Sequence, residues 1–248
     1  MADNIYESTR LVREYLLFHY GEPDEVLPWK TGPREALRFA QRCVRELINS
    51  SSVGRDARAL DVGCAVGRSS FELAGHCREV IGIDSSGAFI AAAEKIRQTG
   101  ALPYDYSVEG VRTATATASL PPGIDAERVR FETGDAMDLR SDLGSFDVVL
   151  AANLLCRLPD PRVFLACASS LVKPGGQLLL TTPFTWLEEF TPRDKWMGAA
   201  ESESADELTR LLEPHFELKL SKDMPFLIRE HARKYQWGVA WGTRWVRR

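Results

Sequence analysis

The sequence has few of the features that mark secreted, membrane-bound or metal-binding proteins. Its five cysteines are widely spaced among 248 residues and form no CxxC pair. Their spacing argues against a disulfide framework or a metal site and favours reduced thiols in a cytoplasmic protein. No apolar run approaches the about 18 residues that a membrane helix needs, and no basic segment followed by an apolar one marks a secretory signal. We therefore expect no membrane association.

Positive charge is also not in excess. Lysine and arginine together number 31 against 35 acidic residues, so the formal net charge is −4 at pH 7. Nucleic-acid-binding proteins usually carry a basic face, and this composition argues against such a partner. A small uncharged or zwitterionic substrate suits the balance of charge better.

Short apolar segments alternate with helical patterns from residue 55 onward. This alternation predicts a parallel sheet covered by helices on both faces. The predicted strands lie at 59–62, 80–83, 129–131, 146–151 and 177–182, and the predicted helices at 69–77, 88–98 and 161–171. A helix at 205–212 and strands at 216–220 and 235–246 would add an antiparallel edge.

The remaining segments complete the predicted architecture. Helical patterns over 4–20 and 33–48 make residues 1–50 an N-terminal helical cap, and residues 101–128 interrupt the core with a hairpin or flap. We predict a single domain over residues 1–248, with its core at 55–248. Its fold class is α/β: a doubly wound, mostly parallel, seven-stranded Rossmann-like sheet with an antiparallel C-terminal edge.

A glycine-rich turn joins the first strand to its helix, at the sheet edge where doubly wound folds bind nucleotide-like ligands. A dinucleotide motif GxGxxG counted from Gly63 would need glycine where Arg68 stands. The turn instead resembles the Asp/Glu-x-Gly-x-Gly-x-Gly motif of S-adenosylmethionine-dependent methyltransferases, written here as Asp61-x-Gly63-x-Ala65-x-Gly67. Alanine replaces the middle glycine, the smallest departure available. Asp61 would face the cofactor's ammonium group, directly or through water.

Acidic residues follow the next two strands. Asp84 ends the second strand 21 residues after the first glycine of the turn, a spacing at which a carboxylate hydrogen-bonds the ribose hydroxyls of adenosine. Its alternative role, beside Ser85, is a helix N-cap. After the third strand, a carboxylate and two apolar residues are predicted to hold adenine, although the segment also fits a simple turn. These residues are Asp135, Ala136 and Met137.

Asn153 follows the fourth strand, beneath the expected position of the sulfonium. Its side chain is a candidate acceptor for a substrate N–H, or alternatively a helix cap. The turn LVKPGG at 171–176, before the fifth strand, is common in these methyltransferases. Together with the glycine turn and the acidic residues, these features predict S-adenosylmethionine as the cofactor.

Longer strings outside the cofactor motifs carry a narrower resemblance. They are NIYE at 4–7, EYLLFHYG at 14–21, GCAVGRSS at 63–70, PFTWLEEFTP at 183–192 and MPFLIREH at 224–231. Over nearly its whole length the chain resembles the methyltransferases of ovothiol biosynthesis, which methylate an imidazole nitrogen of a mercaptohistidine. That family also occurs fused behind an iron-dependent sulfoxide synthase, which implies functional coupling to such an enzyme.

The resemblance implies a histidine-derived small-molecule acceptor and an in-line displacement at the sulfonium carbon. Such a reaction needs a positioned nitrogen lone pair and an acceptor for a proton. The catalytic candidates are Glu188, Glu189, His19 and Asn153. The substrate-binding candidates are Tyr6, Tyr15 and Tyr20 as a lid, Phe184 and Trp186 as aromatic walls, and Arg68 or Arg229 for the substrate carboxylate.

Each of these side chains also has a possible structural function, and the protein has other possible functions. Aromatic residues on a first helix often pack as a cap, and paired glutamates are usually solvated. The selenium analogue of mercaptohistidine is nearly isosteric with the sulfur compound. Another small-molecule N- or O-methyltransferase, or a non-catalytic cofactor-binding subunit, would keep the same cofactor motifs. The sequence leaves these alternatives and the oligomeric state open.

Overall fold

The structure, a computed structural model, describes residues 5–198 and 202–248. Helices in these ranges surround a central sheet. They are α1 (Thr9–Tyr20), α2 (Pro23–Val26), α3 (Phe39–Arg45), α4 (Arg68–Ala74), α5 (Gly87–Thr99), α6 (Pro161–Leu171) and α7 (Ser204–Leu212). None of the helices in the described ranges is long and apolar enough to cross a bilayer.

The strands form one large sheet and a separate hairpin. They are β1 (Arg58–Val62), β2 (Glu79–Asp84), β3 (Ala101–Glu109), β4 (Arg112–Ser119), β5 (Val129–Thr133), β6 (Phe146–Ala152), β7 (Val172–Thr182), β8 (Phe216–His231) and β9 (Lys234–Arg247). The large sheet has the order β5-β2-β1-β6-β7-β9-β8, with β9 antiparallel to both neighbours and the first five strands parallel. This confirms the predicted fold class.

Strand order reverses between β1 and β6, since β2 lies on one side of β1 and β6 on the other. In such sheets the connections from the two central strands leave in opposite directions and open a crevice at the carboxyl ends. The glycine turn and the loop after β6 both begin at this crevice. The topology therefore brings the predicted cofactor residues to one edge.

The interruption at 101–128 is a hairpin, as predicted, in which β3 and β4 pair antiparallel. The C-terminal edge is also antiparallel, but its first strand is far longer than the predicted 216–220. It runs as β8 to His231 and pairs with β9 through two register shifts. β8 and β9 continue past the end of β7, so their distal halves pair only with each other, and β8 there contacts α1 of the helical cap.

The cap differs from its predicted boundaries. Ser8 is the N-cap of α1 and its side chain accepts a hydrogen bond from the Leu11 amide at 3.3 Å, so the helix begins there rather than at residue 4, which lies outside the described residues. The helix predicted over 33–48 is interrupted at Arg38, whose φ of 58° is incompatible with a continuous helix. The interruption allows Leu37 and Phe39 to be buried together.

The sheet is covered by apolar side chains on both faces. The cap contributes Leu16, Leu17 and Phe18, all buried, to the face that also holds α4 and α5. On the other face, α6 and α7 pack over Trp245 of β9. The five cysteines are free thiols, of which only Cys167 is exposed. The cap is thus continuous with the core on one face.

Candidate active site

A cavity of about 340 Å³ lies at the carboxyl ends of the parallel strands. Its volume is within the range of small-molecule sites. One wall is formed by loops that follow β1, β2, β5 and β6. The predicted cofactor residues that line this wall are Gly63, Ala65, Asp84, Ser85, Asp135, Ala136 and Asn153.

The glycine turn is held against β2 by backbone hydrogen bonds. The amides of Gly63 and Cys64 both donate to the carbonyl of Ile83, at 2.8 and 3.0 Å. Gly63 has a φ of +75°, and a Cβ there would lie 2.9 Å from a methyl carbon of Leu154. Glycine is therefore needed at this position for its backbone conformation and for the close approach of the loop after β6.

Asp84 lines the cavity and also organises the turn. Its Oδ2 accepts from the amide of Ala65 at 2.9 Å and its Oδ1 from the amide of Ser86 at 2.9 Å. Burial raises the pKa of this carboxyl, and the two amides act in the opposite direction. The N-cap of α5 is Ser86, whose hydroxyl accepts from Phe89. Since each carboxylate oxygen has a further lone pair, Asp84 can still accept the ribose hydroxyls.

Asp61 and Gly67 do not line the cavity. Asp61 is fully buried and accepts from the hydroxyls of Ser69 and Ser70 at 2.9 and 2.6 Å. Burial raises the pKa of its carboxyl to about 6, and its Oδ1 has no partner among the described residues. Ser69 lines the cavity, so Asp61 lies behind the cavity wall and holds the hydroxyl of this serine. A Cβ on Gly67 would lie 2.6 Å from the ring of Phe131, which makes that glycine a packing requirement.

The loop after β5 forms the wall predicted for adenine. The Oδ1 of Asp135 accepts from the amide of Met137 at 2.8 Å, so the segment is also the simple turn that the sequence allowed. Asp135 and Ala136 line the cavity, whereas Met137 packs against the core on the α6 face. Two of the three residues predicted to hold adenine therefore line the cavity.

Asn153 lines the cavity with a φ of +52°. Its backbone N–H donates to the Thr181 carbonyl at 2.8 Å, and its side-chain Oδ1 accepts from the Thr181 hydroxyl at 2.9 Å. The following helical turn is capped by Leu154, so the cap alternative is wrong. The side chain is tied to β7, and its oxygen has one lone pair left for a ligand.

The opposite wall of the cavity is mostly aromatic. Tyr15 and Phe89 lie 4.8 Å apart between ring centroids, and Phe18 stacks on Phe39 at 6.0 Å. Trp237 is 57% exposed and also lines the cavity, which places it at the opening. The aromatic and imidazole side chains of this wall are Tyr6, Tyr15, Phe18, His19, Phe39, Phe89, Phe226 and Trp237.

His19 is buried against this wall, and its Nδ1 has no hydrogen-bond partner among the described residues. Burial, assisted by the positive charge of Arg68, lowers the pKa of the imidazole to about 3. The ring is therefore neutral at physiological pH and does not hold a released proton. It is available as a neutral hydrogen-bond partner, which revises its predicted function as a proton acceptor.

A His19→Phe variant should show the cost of keeping this ring neutral. Histidine in the unfolded chain titrates near 6.5. Between pH 6.5 and about 3 the unfolded state then binds more protons than the folded one, so His19 lowers stability as the pH falls. Urea unfolding at pH 7 and pH 4.5 should show a smaller acid loss in the variant. Equal losses would contradict the buried neutral ring; exposed His215→Gln is the control.

The four side chains after β7 that were predicted to line the substrate site do not line the cavity. Glu188 and Glu189 are exposed, and Glu188 pairs with Arg193 at 2.8 Å. Phe184 lies near Trp241, with 6.1 Å between ring centroids, and the indole of Trp186 donates to Ser204 at 3.1 Å. Phe184 has a φ of +51° that turns the chain, so that Pro183 and Thr185 line the cavity instead.

The predicted substrate arginines and one lid tyrosine are also committed elsewhere. Arg68 forms an ion pair with Glu72 at 2.7 Å. Arg229 is buried, donates to the Glu25 carbonyl and lies over the ring of Tyr106. The Tyr20 hydroxyl donates to the Val66 carbonyl at 2.8 Å and so braces the glycine turn. None of these three predicted residues lines the cavity, whereas Tyr6 and Tyr15 do.

Arg157 is a charged residue of the cavity that the sequence did not predict. It lies just after β6, within the loop that begins at Asn153. Loops that follow parallel strands at a switch point commonly carry ligand-binding groups, and this position in the chain was the available signal. It lies outside the strings that carry the family resemblance.

Comparison with known proteins agrees with this geometry. Residues 60–180 match the family model of a methyltransferase domain. The ubiquinone biosynthesis O-methyltransferase of Xanthomonas axonopodis pv. citri (strain 306) is 27% identical over 171 residues, covering 66% of this chain and 62% of that protein. Its counterpart in Xanthomonas campestris pv. campestris (strain B100) is 29% identical over 151 residues, covering 61% and 53%. The chain thus spans about three fifths of these relatives or less.

Solved structures share the fold. Magnesium protoporphyrin IX methyltransferase from Synechocystis PCC 6803, with bound S-adenosylhomocysteine, aligns with a TM-score of 0.59 at 18% identity, covering 98% of this chain and 96% of that one. A S-adenosylmethionine-dependent methyltransferase from Methanosarcina mazei aligns with a TM-score of 0.54 at 20% identity, covering 79% and 94%.

The cavity wall fits S-adenosylmethionine on its own chemistry. Asp84 offers carboxylate oxygens to a ribose, and Asp135 offers one to an adenine amino group. Asp61 lies behind Ser69 and holds its hydroxyl, so its carboxylate places negative charge behind this part of the wall, on the side expected for the cofactor's ammonium group. Residues 60–180 thus match a methyltransferase domain, and the wall of the cavity is suited to S-adenosylmethionine as the cofactor.

Proposed function

We propose that the chain methylates an imidazole ring nitrogen of a mercaptohistidine. The supporting observation is that three strings of the family resemblance, far apart in the sequence, meet in one cavity. The string at 14–21 supplies Tyr15, Phe18 and His19, the string at 183–192 supplies Pro183 and Thr185, and the string at 224–231 supplies Phe226 and Ile228. These residues face the same cavity as the cofactor wall.

The aromatic wall suits a flat, partly polar ring. S-adenosylmethionine, when bound, supplies an electrophilic methyl group. What remains for the protein is to hold a nitrogen lone pair in line with that group, which can replace much of the entropic cost of a bimolecular reaction. Rings from α1, α3, α5 and β8 line this space. The neutral imidazole of His19 also lies on this wall.

The substrate's sulfur reduces the need for a catalytic base. An ionised thiol group balances the positive charge that the ring gains on methylation, so no proton has to leave in the same step. Within the described lining, the carboxylates are Asp84 and Asp135, both on the cofactor wall, and His19 is too weak a base. A cavity with aromatic walls and no free carboxylate on the substrate side supports such an acceptor.

A phenolic acceptor is the second candidate, because the curated relatives carry the name O-methyltransferase. A phenol must lose its proton during transfer, and general-base catalysis typically contributes about 10²–10⁴-fold. The substrate side offers Tyr6, Tyr15 and Cys156 besides His19, and burial raises the pKa of each of these three groups. The imidazole acceptor is therefore preferred, and its selenium analogue fits the same argument.

The proposal is tested by incubating the chain with labelled S-adenosylmethionine and mercaptohistidine, histidine or a simple phenol. We expect the new methyl group on a ring nitrogen of mercaptohistidine, located by product NMR. Loss of the sulfur contact should lower kcat/KM for histidine about 10- to 200-fold. Methylation of sulfur, of the α-amine or of the phenol alone would refute the proposal. Cofactor binding without transfer to any acceptor would indicate a non-catalytic subunit.

A further inference from the structure

We infer that Arg157 binds the carboxylate of the acceptor, so that the site takes an amino acid rather than a bare imidazole; this rests on the proposed function. Arg157 follows the loop that starts at Asn153 and lines the cavity from the same side as Thr185. Its side chain is partly buried.

Neutral groups hold the guanidinium in place. Its Nη1 donates to the Cys156 carbonyl at 3.0 Å and to the Thr185 carbonyl at 3.3 Å. It also donates to the hydroxyl oxygen of Tyr6. Its Cζ lies 4.8 Å from the centre of the Phe190 ring. These contacts fix the orientation of the planar group without neutralising its charge.

No carboxylate of the described residues lies within ion-pair distance of Arg157. Arg68, by contrast, has Glu72 at 2.7 Å, and Arg162 has Glu207. A partly buried cation without a counter-charge is costly unless a ligand supplies one. Among the described residues lining the cavity, it is also the only lysine or arginine. The planar fork of guanidinium matches a carboxylate in a bidentate arrangement.

Two molecules in the reaction carry a carboxylate, the acceptor and the methionine part of the cofactor. The neighbours of Arg157 are Tyr6, Thr185 and Phe190, and none of them belongs to the glycine turn. The turn is where the methionine part is expected, next to Ser69 and the unpartnered oxygen of Asp61. The position of Arg157 therefore favours the acceptor.

The test compares wild type with Arg157→Gln, each saturated with S-adenosylhomocysteine. Calorimetric titration with mercaptohistidine and with its decarboxylated analogue, mercaptohistamine, isolates the carboxylate. Wild type should bind the amino acid about 10- to 150-fold more tightly than the amine, the range for hydrogen bonds to charged groups. Arg157→Gln should bind the two compounds nearly equally. Arg157→Lys should restore part of the difference, because it keeps the charge but not the fork.

Arg193→Gln, which removes an exposed arginine paired with Glu188, is the matched control and should retain the full preference. A preference that survives in Arg157→Gln would overturn the inference. Weaker cofactor binding in Arg157→Gln, with unchanged acceptor preference, would assign the guanidinium to the methionine carboxylate and also overturn it. Carboxylate-dependent binding without any methyl transfer would remove the proposed function but keep the inference. Binding of neither compound by wild type would overturn both.

Discussion

An Asp84→Ala variant is expected to bind S-adenosylmethionine about 10- to 150-fold more weakly than wild type. The substitution removes the carboxylate proposed for the ribose hydroxyls, and hydrogen bonds to a charged group are worth about 1.5–3 kcal/mol. It also leaves the amides of Ala65 and Ser86 without their acceptor, which loosens the glycine turn. Isothermal calorimetry with S-adenosylmethionine measures the change directly.

Two further variants separate ligand binding from folding. Asp84→Asn keeps an oxygen for one amide and should lie between wild type and alanine. Asp56→Ala removes an exposed carboxylate, paired with Arg78 at 3.1 Å, and should bind the cofactor like wild type. An unchanged dissociation constant in a folded Asp84→Ala protein would eliminate the ribose contact from the proposed site.

Removing residues 1–7 is expected to reduce kcat about 100-fold or more while the sheet stays folded. The segment carries Tyr6, whose carbonyl accepts from Ser86 at 3.0 Å, and Glu7, whose carboxylate accepts from the Ala88 amide at 3.2 Å. It thereby fastens the aromatic wall to the start of α5. A displacement of about 1 Å in a positioned acceptor can cost about 10²-fold in rate. Steady-state kinetics of the shortened chain measure the change in kcat, and its thermal unfolding shows whether the sheet is still folded.

Removing residues 1–20 should instead unfold the protein. Leu16, Leu17 and Phe18 are buried in the core, and burial of each such side chain is worth about 1.5–3 kcal/mol. Their combined loss, about 5–9 kcal/mol, is comparable with the total stability of an ordinary domain. A protein that is still folded after the longer deletion, shown by a cooperative thermal transition, would contradict the packing role of these residues. Full activity after the shorter deletion would show that residues 1–7 do not close the site.

The fold was accessible from the sequence because its signals are local. A parallel strand buried on both faces appears as a short apolar run, and β1, β2 and β6 each begin and end within one residue of the predicted limits. By contrast, β7 begins at Val172 and includes most of the segment predicted as a turn. The long β8 was not accessible in this way. Its distal half is an apolar run at 224–228 that contains Pro225, followed by three polar residues, and pairing with β9 is what makes it a strand.

The cofactor wall could likewise be predicted residue by residue. Gly63, Ala65, Asp84 and Asp135 follow directly from strand ends, and parallel strands place their carboxyl ends at one edge. Position in the sequence alone did not separate residues that face the cavity from those behind it. Gly67 fits the motif, but the ring of Phe131 occupies the space beside it.

The substrate side was decided by tertiary structure. By itself the sequence determined the α/β class, the order of strands and helices, the cofactor and the acidic residues that follow the strands, since each depends on neighbours along the chain. The positive φ of Phe184 turned the predicted aromatic wall and the glutamates outward, and ion pairing with Glu72 removed Arg68 from the site. Arg157 faces the cavity because Thr185, Tyr6 and Phe190, distant in sequence, surround it. Such orientations depend on packing between remote segments, which no local pattern encodes.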